Sequence, residues 1–283
     1  MTGMSTPSSV PPRALFAGLI DDAAVFPPGN FPLDEAISRR VERRGSSISD
    51  LVGPLLLPPT LVSEAVAGST PVTVSVVGRS DVTLDQLLTA AQLLVDADGH
   101  SLAGLELTYS PDWRAALELG VPVAVEVTPE QAVDEPMADL ASEGSEQVRA
   151  KLRTGSTPSN AVPSASALGG FIASATGQGL SFKLTGGLHR AVSHRTSTAD
   201  GGEDQFGFLN VLLATDQILR GSSTAQAVTL LEQRDSDVIA GLVRELDDPR
   251  IASVRNAFHS YGCCDVLDPI HDLSDLGLIE ENL

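Results

Sequence analysis

The sequence predicts an α/β fold, a (β/α)8 TIM barrel in a single domain. Short, apolar, β-rich runs alternate with helix-like stretches along the whole chain, and there are eight such units. The length of 283 residues and a hydrophobic share of 42% are enough for one large core. The alternative, a doubly wound open sheet, is weakened because no Gly-x-Gly-x-x-Gly run follows the first strand.

The strands are expected at Leu15–Ile20, Leu51–Leu57, Val72–Val77, Leu102–Leu107, Val121–Val127, Val148–Leu152, Leu180–Leu184 and Ile251–Phe258. Amphipathic or alanine-rich segments fill the intervals: Leu33–Arg44, Leu61–Ala67, Leu84–Asp96, Trp113–Leu119, Pro129–Ala141, Ala165–Thr176, and Phe206–Leu219 with Ala225–Leu246. The last helix is placed near His271–Leu283. Gly155–Asn160 and His194–Asp204 read as loops after the sixth and seventh strands, on the catalytic face of such a barrel. Residues 1–12, rich in Ser, Thr and Pro, read as a flexible N-terminal segment ahead of a barrel domain spanning 13–283.

Composition excludes several functions. A formal charge of −19 argues against binding nucleic acid or anionic membranes. No run approaches the roughly 18 apolar residues of a membrane span. No secretory signal is visible, so a cytoplasmic location is expected. The two cysteines, Cys263 and Cys264, are adjacent and suit a reducing compartment. No CxxC or HxH spacing supports a metal site, and neither metal nor organic cofactor is expected.

Sixteen of the eighteen basic residues are arginine. The two lysines, Lys151 and Lys183, both sit in short apolar runs that end in glycine: Arg-Ala-Lys-Leu-Arg-Thr-Gly at 149–155 and Ser-Phe-Lys-Leu-Thr-Gly-Gly at 181–187. Arginine replaces lysine as a solvated charge, but not as an amine that loses its proton and attacks a carbonyl. Side chains alternate along a strand. Val148, Ala150 and Leu152 suit packing under helices, so Arg149, Lys151 and Arg153 are expected to face the barrel interior. By the same parity Ser181, Lys183 and Thr185 face inward. Gly104, Glu106 and Thr108 share one face, as do Ala124, Glu126 and Thr128. Two lysines on neighbouring strands are expected to repel, lowering one amine's pKa and making it a nucleophile. Glu106 or Glu126 would relay protons.

These residues resemble deoxyribose-phosphate aldolase, a class I aldolase family. The likeness rests on Lys-x-x-Thr-Gly at 151–155 and Phe-Lys-x-x-Gly-Gly at 182–187, and it covers the sixth to eighth strands. The resemblance implies that Lys151 forms the Schiff base and Lys183 activates it. It also implies that Thr154, Gly155, Gly186 and Gly187 help to hold the substrate's anionic group. The family's Gly-x-Ser-Ser turn corresponds to Gly262-Cys263-Cys264-Asp265, where Asp265 would repel a phosphate. Arg153 offers a fork of donors suited to carboxylate or phosphate. The runs Leu19–Gly29 and Phe206–Val211 also resemble a bacterial protein family, a likeness that carries no function.

Other residues have weaker signals. His189 is a candidate proton shuttle or anion donor, or a surface histidine. Asp21 and Asp22 either line the mouth or form a turn. Phe206 and Asn210 open a helix whose amides could receive an anion. Cys263 reads best as a small buried hydrophobe. The expected function is a Schiff-base, aldolase-like carbon–carbon lyase acting on a small anionic carbonyl compound, with a homodimer as a conceivable assembly. The alternatives are a barrel isomerase or hydrolase, or a non-catalytic metabolite-binding barrel, with the lysines serving as an anion site.

Overall fold

A computed structural model describes residues 11, 13–144, 146–157, 161–197 and 202–280. Eight parallel strands close into a barrel, with chain order broken only where the last strand meets the first. They are β1 Ile20–Asp22, β2 Val52–Leu57, β3 Thr73–Val77, β4 Ser101–Thr108, β5 Val123–Glu126, β6 Val148–Arg153, β7 Ser181–Thr185 and β10 Phe258–Cys263. A small hairpin, β8 His194–Arg195 with β9 Asp204–Gln205, lies in the connection after β7. Of the N-terminal segment 1–12, only Pro11 falls within the described residues. Residues 158–160 of the 155–160 loop and 198–201 of the 194–204 loop fall outside them.

The strand faces follow from alternation. Val123 and Val125 on β5 pair in register with Val148 and Ala150 on β6, and all four are buried. Behind β7, Phe182 stacks on Phe258 with ring centroids 5.0 Å apart, and it meets Phe171 edge-on at 5.6 Å. Rings buried in this way are each worth about 2–3 kcal/mol of transfer free energy. They hold helix α5 (Ala165–Gly177) against the barrel's outer wall.

The helices between strands are α1 Leu33–Arg43, α2 Pro59–Ala67, α3 Leu84–Asp96, a 3-10 helix at Trp113–Leu119, α4 Glu135–Ala141 and α5. After β7 come α6 Phe208–Leu219, α7 Thr224–Glu232, α8 Ser236–Arg244 and α9 Asp248–Ala257, and α10 Leu267–Asp275 follows β10. Two expected strands move. The expected first strand begins instead as a 3-10 turn at Arg13–Leu15; Gly18, at φ 58°, reverses the chain before β1 begins at Ile20. The expected strand Ile251–Phe258 is helix α9. Asp247 caps it by accepting from Arg250 N at 3.0 Å, and Ile251, Val254 and Ala257 recur at helical spacing on its buried side. The eighth barrel strand starts only at Phe258. The last helix ends at Asp275, earlier than the expected 271–283, of which 281–283 lie outside the described residues.

Asn210, fully buried in α6, is a clamp and not part of an anion seat. Its amide donates to the carbonyls of Leu230 at 2.7 Å and Gln233 at 2.8 Å, while its oxygen accepts from Ser193 N at 2.9 Å. Asn210→Ala removes all three bonds and leaves the buried Ser193 N–H without its acceptor. Urea unfolding should show a loss of about 2–3 kcal/mol, with the slope against urea unchanged.

Candidate active site

The inner wall carries a row of charged side chains because parity puts them there. Lys151 and Lys183 are direct register partners on β6 and β7, and Glu126 on β5 is paired in register with Lys151. Glu106 reaches in from β4 and Asp21 from β1. Lys151 Nζ lies 2.9 Å from Glu106 Oε2 and 2.9 Å from Glu126 Oε2. Lys183 Nζ contacts Glu106 Oε1 and Asp21 Oδ2. Ser260 on β10 donates to Asp21 Oδ2 at 2.7 Å, and Arg153 Nε lies 3.3 Å from Glu126 Oε1. Glu106 thus holds one lysine on each oxygen. Asp21 fits because position 53 is glycine, where a Cβ would stand 2.0 Å from Asp21 Oδ1.

This lattice reverses one expectation. The two ammonium groups do repel, but the same parity that aligns them also brings three carboxylates to the same face. Burial favours the neutral form of both amines. Glu106 and Glu126 outweigh it at Lys151, and Asp21 and Glu106 outweigh it at Lys183, so both lysines are held above their ordinary pKa. Lys183 therefore does not lower the pKa of Lys151 in this state. Burial would raise Glu106, yet the two lysines pull it down to about 2. Asp21, by contrast, is raised by its burial despite Lys183.

Above the lattice opens a cavity of about 380 Å³. Lys151 and Glu106 form part of its floor, whereas Lys183 and Asp21 do not reach its lining. Arg153, Gly155, Thr185, Gly186, Gly187, His189 and Gly262 line it as expected, together with Phe26, Arg79, His194 and Cys264. Gly186 and Gly187 take φ of 69° and 73° and Leu188 follows at 57°, a left-handed run that swings the chain across the mouth. Gly155 is packed so closely that a Cβ there would lie 2.7 Å from Gly187 N.

Other expected residues sit elsewhere. Thr154 is buried and donates its hydroxyl to Gly186 O at 2.6 Å, tying the two glycine loops together instead of facing the cavity. Asp22 points outward, held under α1 by Arg43 at 2.5 Å. Asp265 accepts from Leu267 N at 3.1 Å and does not reach the lining, and Cys264 takes that stretch of wall. His189 is half-buried against both thiols, with Nδ1 3.6 Å from Cys263 Sγ and 3.7 Å from Cys264 Sγ. Burial keeps its pKa below the ordinary value. The functions of Asp21 and Ser260 as partners of Lys183 escaped the sequence reading, although strand parity on β1 was a usable signal for Asp21. Arg79 and Phe26, on loops after β3 and β1, had no sequence signal.

Among the described residues, no three His, Cys, Asp or Glu side chains converge as a metal-binding group, and no helix is long and apolar enough to cross a membrane. No protein-family model matches the chain, and no curated protein matches it. Solved structures do. An aldolase designated QR15 superposes over 94% of this chain and 99% of its own, with a TM-score of 0.50 and 12% identity. A deoxyribose phosphate aldolase from Aeropyrum pernix covers 92% of both chains, with a TM-score of 0.49 and 12% identity. The likeness to the QR15 structure is one of fold, a closed (β/α)8 barrel.

Lys183→Met should leave Asp21 buried without its cation and cost about 3–5 kcal/mol near neutral pH. In the variant the pKa of Asp21 rises further above its unfolded value. The native form then binds more protons than the unfolded one, and stability relative to the parent falls as pH rises from about 4. Urea titrations at about pH 4 and about pH 7 should show the smaller deficit at the acid end.

Proposed function

We propose that the protein is a class I aldolase-like lyase acting on a small anionic carbonyl compound, with Lys151 as its Schiff-base nucleophile. The observation that carries this reading is the position of Lys151: an amine 2% exposed, between two carboxylates, on the floor of a cavity that its neighbour Lys183 does not reach. The amine must shed its proton before attack. Glu126 is the natural acceptor, because its side chain is 22% exposed and opens toward solvent while Glu106 is enclosed. The neutral amine adds to the carbonyl carbon, and loss of water leaves an iminium. The iminium draws the electron pair of the adjacent C–C or C–H bond as that bond breaks, giving an enamine. Glu106, kept ionised by both lysines, sits where its charge would stabilise the iminium, and Glu126 is the group left to take or return a proton. Lys183, locked between Asp21 and Glu106, keeps Glu106 ionised beside Lys151. The glycine loops at 155 and 186–187 form the wall where an anionic group would rest.

The pairing of both amines favours a second reading, in which they serve only as charges in a barrel isomerase or anion binder. The two separate cleanly. Borohydride trapping with a panel of small aldehydes and ketones, read by mass spectrometry, should place an adduct on Lys151 and none on Lys183; absence of any adduct removes the Schiff-base reading. Because Lys151 starts protonated, the trapping rate should climb from about pH 7 to about pH 9 as the neutral fraction grows. Lys151→Arg should abolish activity under this proposal and preserve much of it under the second.

A further inference from the structure

The mouth of the cavity carries two arginines, Arg79 and Arg153, whose terminal guanidinium nitrogens pair with nothing among the described residues. Of the sixteen arginines, fourteen have an ion pair or hydrogen bond; among the described residues Arg79 and Arg149 have neither. Arg149 points into the barrel below the lysines, away from the cavity lining. Arg79 is different. It follows β3, lines the lysine cavity, and lies over the ring of Phe26 with its guanidinium carbon 4.8 Å from the centroid. Stacking leaves the guanidinium edge, with its donors, free. Arg153 approaches from β6. Its Nε is occupied by Glu126, while its two terminal nitrogens have no partner among the described residues. Arg79 and Arg153 also line a second, adjoining cavity of about 920 Å³, so together they form the ridge between the two. In a chain of net charge −19, with acidic residues available throughout, two neighbouring guanidinium groups turned to the same space are an incomplete arrangement. Arg153 contributes to lowering the pKa of Arg79, after burial, as expected for cations this close.

Resting on the aldolase reading above, we infer that Arg79 and Arg153 form a carboxylate seat, so that the preferred substrate is an oxo acid with its carbonyl at Lys151 and its carboxylate on the ridge. The distances agree with a short molecule. Arg153 lies two residues beyond Lys151 on the same face of β6, about 7 Å along the strand, and Glu126 touches both. Planar forks match a planar carboxylate in a bidentate fashion. A phosphate, with three oxygens, would draw also on the backbone of the glycine loops across the cavity, which the probes below separate.

The test uses the full chain and three carbonyl probes: pyruvate, neutral hydroxyacetone, and dihydroxyacetone phosphate. The readout is the rate of borohydride-trapped adduct at Lys151 in the parent, Arg79→Gln and Arg79→Lys, each checked for an unchanged melting temperature. The parent should label with pyruvate about tenfold faster than with hydroxyacetone. That ratio should fall toward one in Arg79→Gln and be restored only in part by Arg79→Lys. A pyruvate preference that survives Arg79→Gln overturns the seat. A preference for dihydroxyacetone phosphate that is lost in Arg79→Gln overturns its assignment to carboxylate. If no probe labels Lys151, the Schiff-base reading fails by itself, and the seat is judged by calorimetry with lactate, a carboxylate without a carbonyl. Binding weakened about tenfold in Arg79→Gln then sustains the seat, and equal binding overturns it.

Discussion

A single carboxylate organises the interior of this barrel. Glu106 is buried, reaches from β4 across the closed sheet, and receives Lys151 on one oxygen and Lys183 on the other. Removing three such charges from water is costly, and the attraction between them offsets that cost only while all remain together. The neighbours follow from this. Asp21 and Ser260 complete Lys183, Glu126 completes Lys151, and Arg153 in turn engages Glu126. Gly53 leaves the space that Asp21 occupies. Removing Glu106 would leave two buried ammonium groups facing each other, with each retaining a single carboxylate.

The same lattice sets the terms of any chemistry. A lysine surrounded by carboxylates begins as a cation, and a nucleophile must be neutral. Activation then depends on a proton leaving the lattice rather than on repulsion between amines. Glu126 is partly exposed and Glu106 is enclosed, which makes Glu126 the route outward. The lattice can also give up a proton without being left unbalanced. Four cations on this wall, Arg149, Lys151, Arg153 and Lys183, face three carboxylates, so an arriving anion and a departing proton both move the site toward neutrality. An anionic substrate therefore suits the site electrostatically wherever it is seated.

Much of this was legible in the residue order. The period of two on β6 separated Val148, Ala150 and Leu152 from Arg149, Lys151 and Arg153. The structure buries the first set behind the wall and turns the second inward. The same rule placed Glu106 and Glu126. It was less decisive at β1, where the strand is only three residues long and all three are buried, so alternation had too few positions to reveal that Asp21 faces in and Asp22 out. It misled at Ile251–Phe258, because a buried helical face and a strand can share the same apolar residues, and the cap at Asp247 carried the distinction.

The sequence by itself determined the order of strands and helices, and through strand parity it determined which side chains enter the barrel. Those are local properties, set by alternation, capping and the burial of apolar faces. The tertiary structure decided what those side chains do to one another. Whether Lys183 depresses or merely accompanies Lys151 depends on how many carboxylates reach the same few ångströms from β1, β4 and β5. That is a sum over strands far apart in the chain. The same holds at the rim, where Arg79 and Phe26, unremarkable in their own loops, meet Arg153 only because the barrel closes.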